Sequence, residues 1–218
     1  MPDIDQLSNM LPGSGMNFCL PVSAANALMW MAANGYPNLA PAGLNPESGT
    51  PADRQKVRDF IKGLATDLNT DPGSGTTQSD FVAGMNLYFA KKGYINLKAT
   101  RHYLQENVLA AQTIAQLMGG TSDRPKLAIG ILKREGPGIS PTYHAVTLTG
   151  VKGVAGGPSS VSFNDPESDE SNTQQSQYTT VTYPLGAFTY GEGHELVGMK
   201  GFRGTGNRVV LQEVIALR

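Results

Sequence analysis

Apolar residues recur at helical spacing through the first half of the chain and alternate with polar ones through the second. Residues 1–18 show neither period, and Pro12, Gly13 and Gly15 interrupt them, so they read as an extended arm or loop. Ala24, Ala27, Leu28, Met31 and Ala32 then fall on one helical face, predicting a helix over Pro21–Asn34. Proline is tolerated in a first turn, where its missing N–H has no intrahelical partner. Gly35 stands where a helix-ending glycine belongs. Ala24, Ala25 and Ala27 suit close approach by a neighbour, and Met29, Trp30 and Met31 are assigned to the core. After a Pro/Gly-rich loop, a second helix is predicted over 53–68, with Val57, Phe60, Ile61, Leu64 and Leu68 on one face. DPGSGTT breaks it. A third opens with the polar capping residues of TQSDFVAGMNLYFAKKGY and carries Phe81, Met85, Tyr88 and Phe89. A fourth is predicted over roughly 103–118, through Leu104, Val108, Ala111, Ile114, Ala115 and Leu117, with MGGTSD ending it.

After Pro125 the character changes. KLAIGILK, YHAVTLTGV, SVSFND, YTTVTYP and RVVLQEVIAL are short β-rich runs separated by Gly, Pro, Ser and Asp clusters. Helices first and strands second predict one α+β domain over 1–218: an arm over 1–18, a helical half over 19–120 and an antiparallel β half over 125–218. The polar DPESDESNTQQSQ reads as a solvated loop. GGTSD and GTGN lack the strand–loop–helix setting of a phosphate loop and read as turns.

Composition narrows the function classes. The length of 218 residues suits one domain of generous size, and 39% hydrophobic residues suffice for a core. A net charge of -1 without a Lys/Arg run leaves no electrostatic footprint for nucleic acid. The longest apolar stretch, Ala24–Ala33, is broken by Asn26 and falls short of the roughly 18 residues that span a bilayer. One cysteine closes no internal disulfide, so the redox compartment stays open. The start MPDIDQLSNM has no basic n-region or apolar h-region and is not read as a signal peptide. Low Lys and Glu content with Ser/Thr/Gly/Asn-rich loops gives the expectation of an exported protein, periplasmic or extracellular, whose leader has been removed; a cytoplasmic location is the alternative.

Cys19 is the only thiol and precedes the apolar stripe of its helix instead of lying within it. A cysteine usually behaves as a small buried hydrophobe. At a helix start, unpaired N–H donors and the positive end of the dipole favour the reactive thiolate. Catalysis then needs a base that also protonates a leaving group near neutral pH, which points to histidine. His144 opens an alternating strand, and the next strand ends in Asn164 and Asp165 before Pro166. Two neighbouring antiparallel strands would set Asp165, or alternatively Asn164, behind the ring to fix its tautomer. His102 reads as a surface or capping residue. His194, with Glu192 and Glu195, reads as a loop residue without metal-ligand spacing, and no metal is expected. Ser23 lacks the glycine elbow of a serine nucleophile.

CLPVSAANAL, YHAVTLTGV and FNDPES, in that order, resemble the papain-like superfamily and, within it, the C39-like peptidases of bacteria. That pattern has a cysteine followed by a small residue, Pro, a small residue and Ser-Ala; then a His-hydrophobic-Val strand ending in Gly; then Asp-Pro after another strand. The resemblance covers the helix around Cys19 and the two strands. It implies a papain-like α+β fold, with Cys19 as nucleophile, His144 as general base and acid, and Asp165 as orienter. It also implies a peptide or protein substrate and no cofactor. Two positions depart from the pattern: Leu20 replaces a common glycine, and Gly13 and Ser14 stand where an oxyanion-hole glutamine is usual. Gln6 serves if SNMLPGSGM loops out, with Asn17 the nearer alternative; the Cys19 N–H is the other donor. C39 peptidases fused to transporters cut leader peptides after double glycine, a role not carried over to a sequence without an apolar span. The expected function is cysteine peptidase activity on peptide or amide bonds. The alternatives are a thiol acyltransferase or transglutaminase-like enzyme, and a secreted non-catalytic binding protein.

Overall fold

The computed structural model describes residues 4, 6, 11–46, 50–104, 114, 116–118, 127–135, 140–152, 160–166, 180–189, 193–196 and 208–218. Helices α1 (Cys19–Ala33), α2 (Pro51–Asp67) and α3 (Gln78–Lys91) precede strands β1 (Ala99–Tyr103), β2 (Leu127–Glu135), β3 (Thr142–Lys152), β4 (Ser160–Asn164), β5 (Thr180–Thr189), β6 (Gly193–Leu196) and β7 (Arg208–Leu217). The fold is α+β, with the helices in the N-terminal half and an antiparallel sheet in the C-terminal half, in the order the patterns predict.

Each helix forms where its sequence allows. The Thr50 and Thr77 hydroxyls accept the Asp53 and Asp80 N–H groups at 3.2 and 3.1 Å and cap α2 and α3. Pro51 occupies the first turn of α2. α1 is apolar on nearly every side and is accordingly enclosed: Val22, Ala24, Ala25, Ala27, Leu28 and Met31 are fully buried. Burying Leu28 or Met31 completely contributes about 1.5–3 kcal/mol each. α3 crosses α2 closely at Gly84, where a Cβ would lie 2.4 Å from the Asp67 carbonyl oxygen.

The strands pair in the order β1-β7-β2-β3-β4-β5-β6, and β6 returns to β7. His194 faces Leu211 and Glu195 faces Val210. Farther along the same edge of β7, Ala99 faces Leu217 and Tyr103 faces Glu213. Six strands therefore close a ring, with β1 continuing one edge of β7. Alternation along the strands builds two cores. Leu127, Ile129 and Ile131 face the helices, together with Ala145, Ile215 and Leu217. Ala128, Leu132, Val146, Leu148, Phe163, Val209 and Leu211 fill the ring's interior. Gly130 belongs among them: a Cβ there would lie 3.0–3.2 Å from Leu148, Leu211 and Val146 side chains.

Three expectations are corrected. The helix predicted from 103 begins inside a strand, since Tyr103 ends β1. ATRHY buries only Ala99 well, so it carries no alternation to betray it. Ile114 and residues 116–118 are helical, while 105–113 and 115 lie outside the described residues. His102, expected at a surface or cap, sits in β1 and is half-buried. His194, expected in a loop, belongs to β6, whose four residues are too few to show a period. The two stretches read as turns, GGTSD and GTGN, lie outside the described residues, as does most of DPESDESNTQQSQ.

Candidate active site

α1 begins at Cys19 itself, two residues before the predicted start, so the half-buried free thiol stands on the helix's first residue. One turn on, Ser23 projects from the same side of the helix. Its hydroxyl donates to the Ala145 carbonyl at 3.0 Å, and the Thr147 hydroxyl donates to the Ser23 carbonyl at 3.0 Å. Ser23, Ala145 and Thr147 are all buried. These bonds fasten the first turns of α1 to β3 immediately beside His144. Cys19 and His144 line the same cleft, and the Cys19 side chain is among the groups that raise the His144 pKa.

The far side of that ring is also occupied. His144 Nε2 lies 2.5 Å from Asp165 Oδ1, which leaves Nδ1 as the nitrogen toward the thiol. Register explains the contact. Thr147 faces Asn164, so Asp165 comes one residue past the last β3–β4 pair and shares its face with Phe163. His144 shares its face with Val146 and Leu148, which pack with Phe163 inside the ring of strands. Asn164, the alternative orienter, alternates to the opposite face; the ring's carboxylate partner is Asp165. His144 is 3% exposed, and such burial disfavours the imidazolium. The Asp165 carboxylate and the Cys19 side chain outweigh it and raise the His144 pKa to about 10. The ring is therefore cationic at neutral pH.

The arm folds onto this pair. Gln6 is buried, its N–H donates to the Pro166 carbonyl at 2.7 Å, and its Nε2 donates to the Met16 carbonyl at 3.2 Å. Nearby, the Ile4 N–H donates to Asn26 Oδ1 at 3.1 Å, tying the arm to α1. The chain turns back through a 3-10 turn over Pro12–Gly15, in which Gly13 and Ser14 take left-handed φ of 60° and 55°. Gly15 follows at φ 77°, and a Cβ there would lie 1.7 Å from the Gln6 carbonyl oxygen. Glycine is thus required for Gln6 to sit where it does. Asn17 lines the same cleft, but its Nδ2 donates to the Pro72 carbonyl at 2.8 Å, which holds its amide on the loop after α2.

Gln6, Cys19 and His144 line a cleft of about 410 Å³ between the halves. Ser74–Gln78, the approach to α3, form its helical wall, and Arg134 with Pro141–Ala145 its sheet wall. A thiol, a cationic imidazole, a carboxylate behind it and a buried amide opening on one cleft are the parts needed for acyl transfer through sulfur. Among the described residues no group of three or more His, Cys, Asp or Glu is placed to hold a metal ion. Among them, too, no helix is long and apolar enough to cross a membrane. The Ser23–Thr147 clamp and Arg134 escaped the sequence reading; only the spacing of Ser23, four residues after Cys19, hinted at the first. No family model matches the chain, and no curated protein is significantly similar to it.

Proposed function

We propose that the chain is a papain-like thiol hydrolase, a cysteine peptidase of the C39-like kind, that cuts peptide or amide bonds with Cys19, His144 and Asp165. One observation carries this reading: the His144 ring is held by Asp165 at 2.5 Å and opens with Cys19 on one cleft. The α+β order, with a helical half against a closed antiparallel sheet and the cleft between them, supports the papain-like fold.

In this mechanism the proton shared by Cys19 and His144 already rests on the imidazole, and the Cys19 sulfur attacks a carbonyl carbon. Charge develops on the carbonyl oxygen, where the Cys19 N–H and the second N–H of Gln6 Nε2 serve as donors. The imidazolium then protonates the departing amine as the C–N bond breaks. Water, deprotonated by His144, hydrolyses the thioester, and the expelled sulfur and protonated ring restore the starting pair. Asp165 keeps the ring oriented and stabilises its cation throughout.

Incubating the purified protein with a mixed peptide library and reading new termini by mass spectrometry tests the reading. Cleavage that disappears in Cys19→Ala is the expected result. Transfer of the acyl group to an added amine without hydrolysis would instead assign a transferase. No Cys19-dependent product of either kind contradicts an enzymatic role.

A further inference from the structure

Asp165 stands just past the point where the sheet holds the chain. Ladder pairing of β4 with β3 ends at Asn164, opposite Thr147. Asp165 follows, and then Pro166, which is buried. A proline ring fixes its own φ at about −65° and confines the residue before it to extended backbone. Holding the Pro166 carbonyl therefore fixes the main chain of Asp165 as well. That carbonyl accepts the Gln6 N–H at 2.7 Å. Gln6 holds it because the arm is itself docked. Gln6 is buried, its Nε2 donates to the Met16 carbonyl at 3.2 Å, and Gly15 leaves room for its own carbonyl. Two residues earlier, the Ile4 N–H donates to Asn26 Oδ1 at 3.1 Å. Asn26 is the polar residue that interrupts the apolar stretch of α1, and it is fully buried there. A buried amide is costly unless bonded, and the arm supplies that bond. The arm is thus bonded to α1 at Asn26 and to the chain beyond β4 at Pro166.

Resting on the thiol-hydrolase reading, we propose that the Gln6 main-chain N–H is a positioning group for Asp165, so that docking of the arm completes the triad. One residue then serves the site twice. Its side chain opens on the cleft, and its backbone holds the segment that carries the carboxylate. Undocking the arm removes both at once. Cys19 and His144 stay where the Ser23 clamp between α1 and β3 holds them. The arm is accordingly a strap that switches the site between a complete triad and a thiol–imidazole pair without its orienter.

The test is the titration of His144, followed by NMR and assigned by the resonance missing from His144→Gln. Asp165 and the Cys19 side chain act on that ring, and Arg134 lies diagonal to it across the Leu132–His144 pair. The variants keep all three. Gln6→Ala and Gln6→Pro both remove the side chain, and only the second removes the N–H. An ester in place of the amide before Gln6 removes the N–H and keeps the side chain. Cys19 is the only cysteine, so a synthetic 1–18 segment carrying the ester can be ligated to Cys19–Arg218 to give the full chain. In wild type and Gln6→Ala the His144 pKa is expected well above its ordinary value. In Gln6→Pro and in the ester it is expected about one pH unit or more lower, the scale on which a carboxylate partner acts. Equal values in all of them overturn the inference and leave the triad standing. A fall in Gln6→Ala as large as in Gln6→Pro, or one in Gln6→Pro that the ester lacks, also overturns it. Cys19 alkylation indifferent to His144→Ala instead removes the reading on which the inference rests.

Discussion

At His144 two opposing effects meet. Burial alone would keep the imidazole neutral, yet Asp165 and Cys19 hold it protonated well above its ordinary range. In the proposed mechanism the residue gives a proton to a leaving amine, while the neighbouring sulfur supplies the nucleophile. In the same proposal Gln6 has a separable role, since its amide would serve the developing charge and not the thiol. Gln6→Ala is expected to lower kcat/KM by about 10²–10³, with a much smaller change in the rate of Cys19 alkylation; parallel hydrolysis and alkylation assays check it. Cys19, His144 and Asp165 were legible in the sequence because each sits at an end of a strongly patterned element. Gln6 was legible only as a conditional donor. Its placement depends on left-handed conformations at Gly13, Ser14 and Gly15, which no spacing rule encodes. Arg134 reads in isolation as a polar strand end, and only the pairing with Thr142 reveals its proximity to His144.

The element that matters most is α1, because its first turn carries the thiol and its second grips β3. Removing the Ser23 hydroxyl leaves the buried Ala145 carbonyl without that donor. Ser23→Ala is expected to cost about 1–3 kcal/mol, seen as a lower urea midpoint at unchanged m-value. It is also expected to slow Cys19 alkylation, because the thiol is held less firmly against the ring. A stability loss with unchanged alkylation would show that the clamp does not position the site. Helices with one clear apolar face were legible to within about two residues, the usual uncertainty of such boundaries. Pro21 drew the predicted start of α1 inward, whereas the helix accommodates it in the first turn and begins at Cys19. β1 and β6 were hidden for different reasons: β1 is mostly polar, and β6 is too short. Both form through long-range pairing with β7 and not through local preference.

Across the whole molecule, the helical half and the ring of strands meet at the cleft, so folding and the charge state of the site are coupled. A histidine whose pKa is raised on folding contributes stability that is fully present below its unfolded value, about 6.5, and is lost as pH rises through about 10. Stability from urea unfolding is therefore expected to decline between those limits, and His144→Gln is expected to flatten the decline. Tyr88, buried with its hydroxyl donating to the Leu39 carbonyl at 2.7 Å, is also raised, chiefly by burial. Its contribution is lost only at still higher pH and leaves this window to His144. The α+β order was legible from the change of period near Pro125, but closure of the sheet was not, because it rests on β6 returning to β7 across the chain. The central claim, that the lone thiol is activated by the imidazole that shares its cleft, is tested most directly by the rate of Cys19 alkylation with iodoacetamide at neutral pH, in wild type and in His144→Ala. Wild type is predicted to react about 10²-fold faster, in keeping with the contribution of a positioned proton-transfer group. Equal rates in the two proteins would contradict the account.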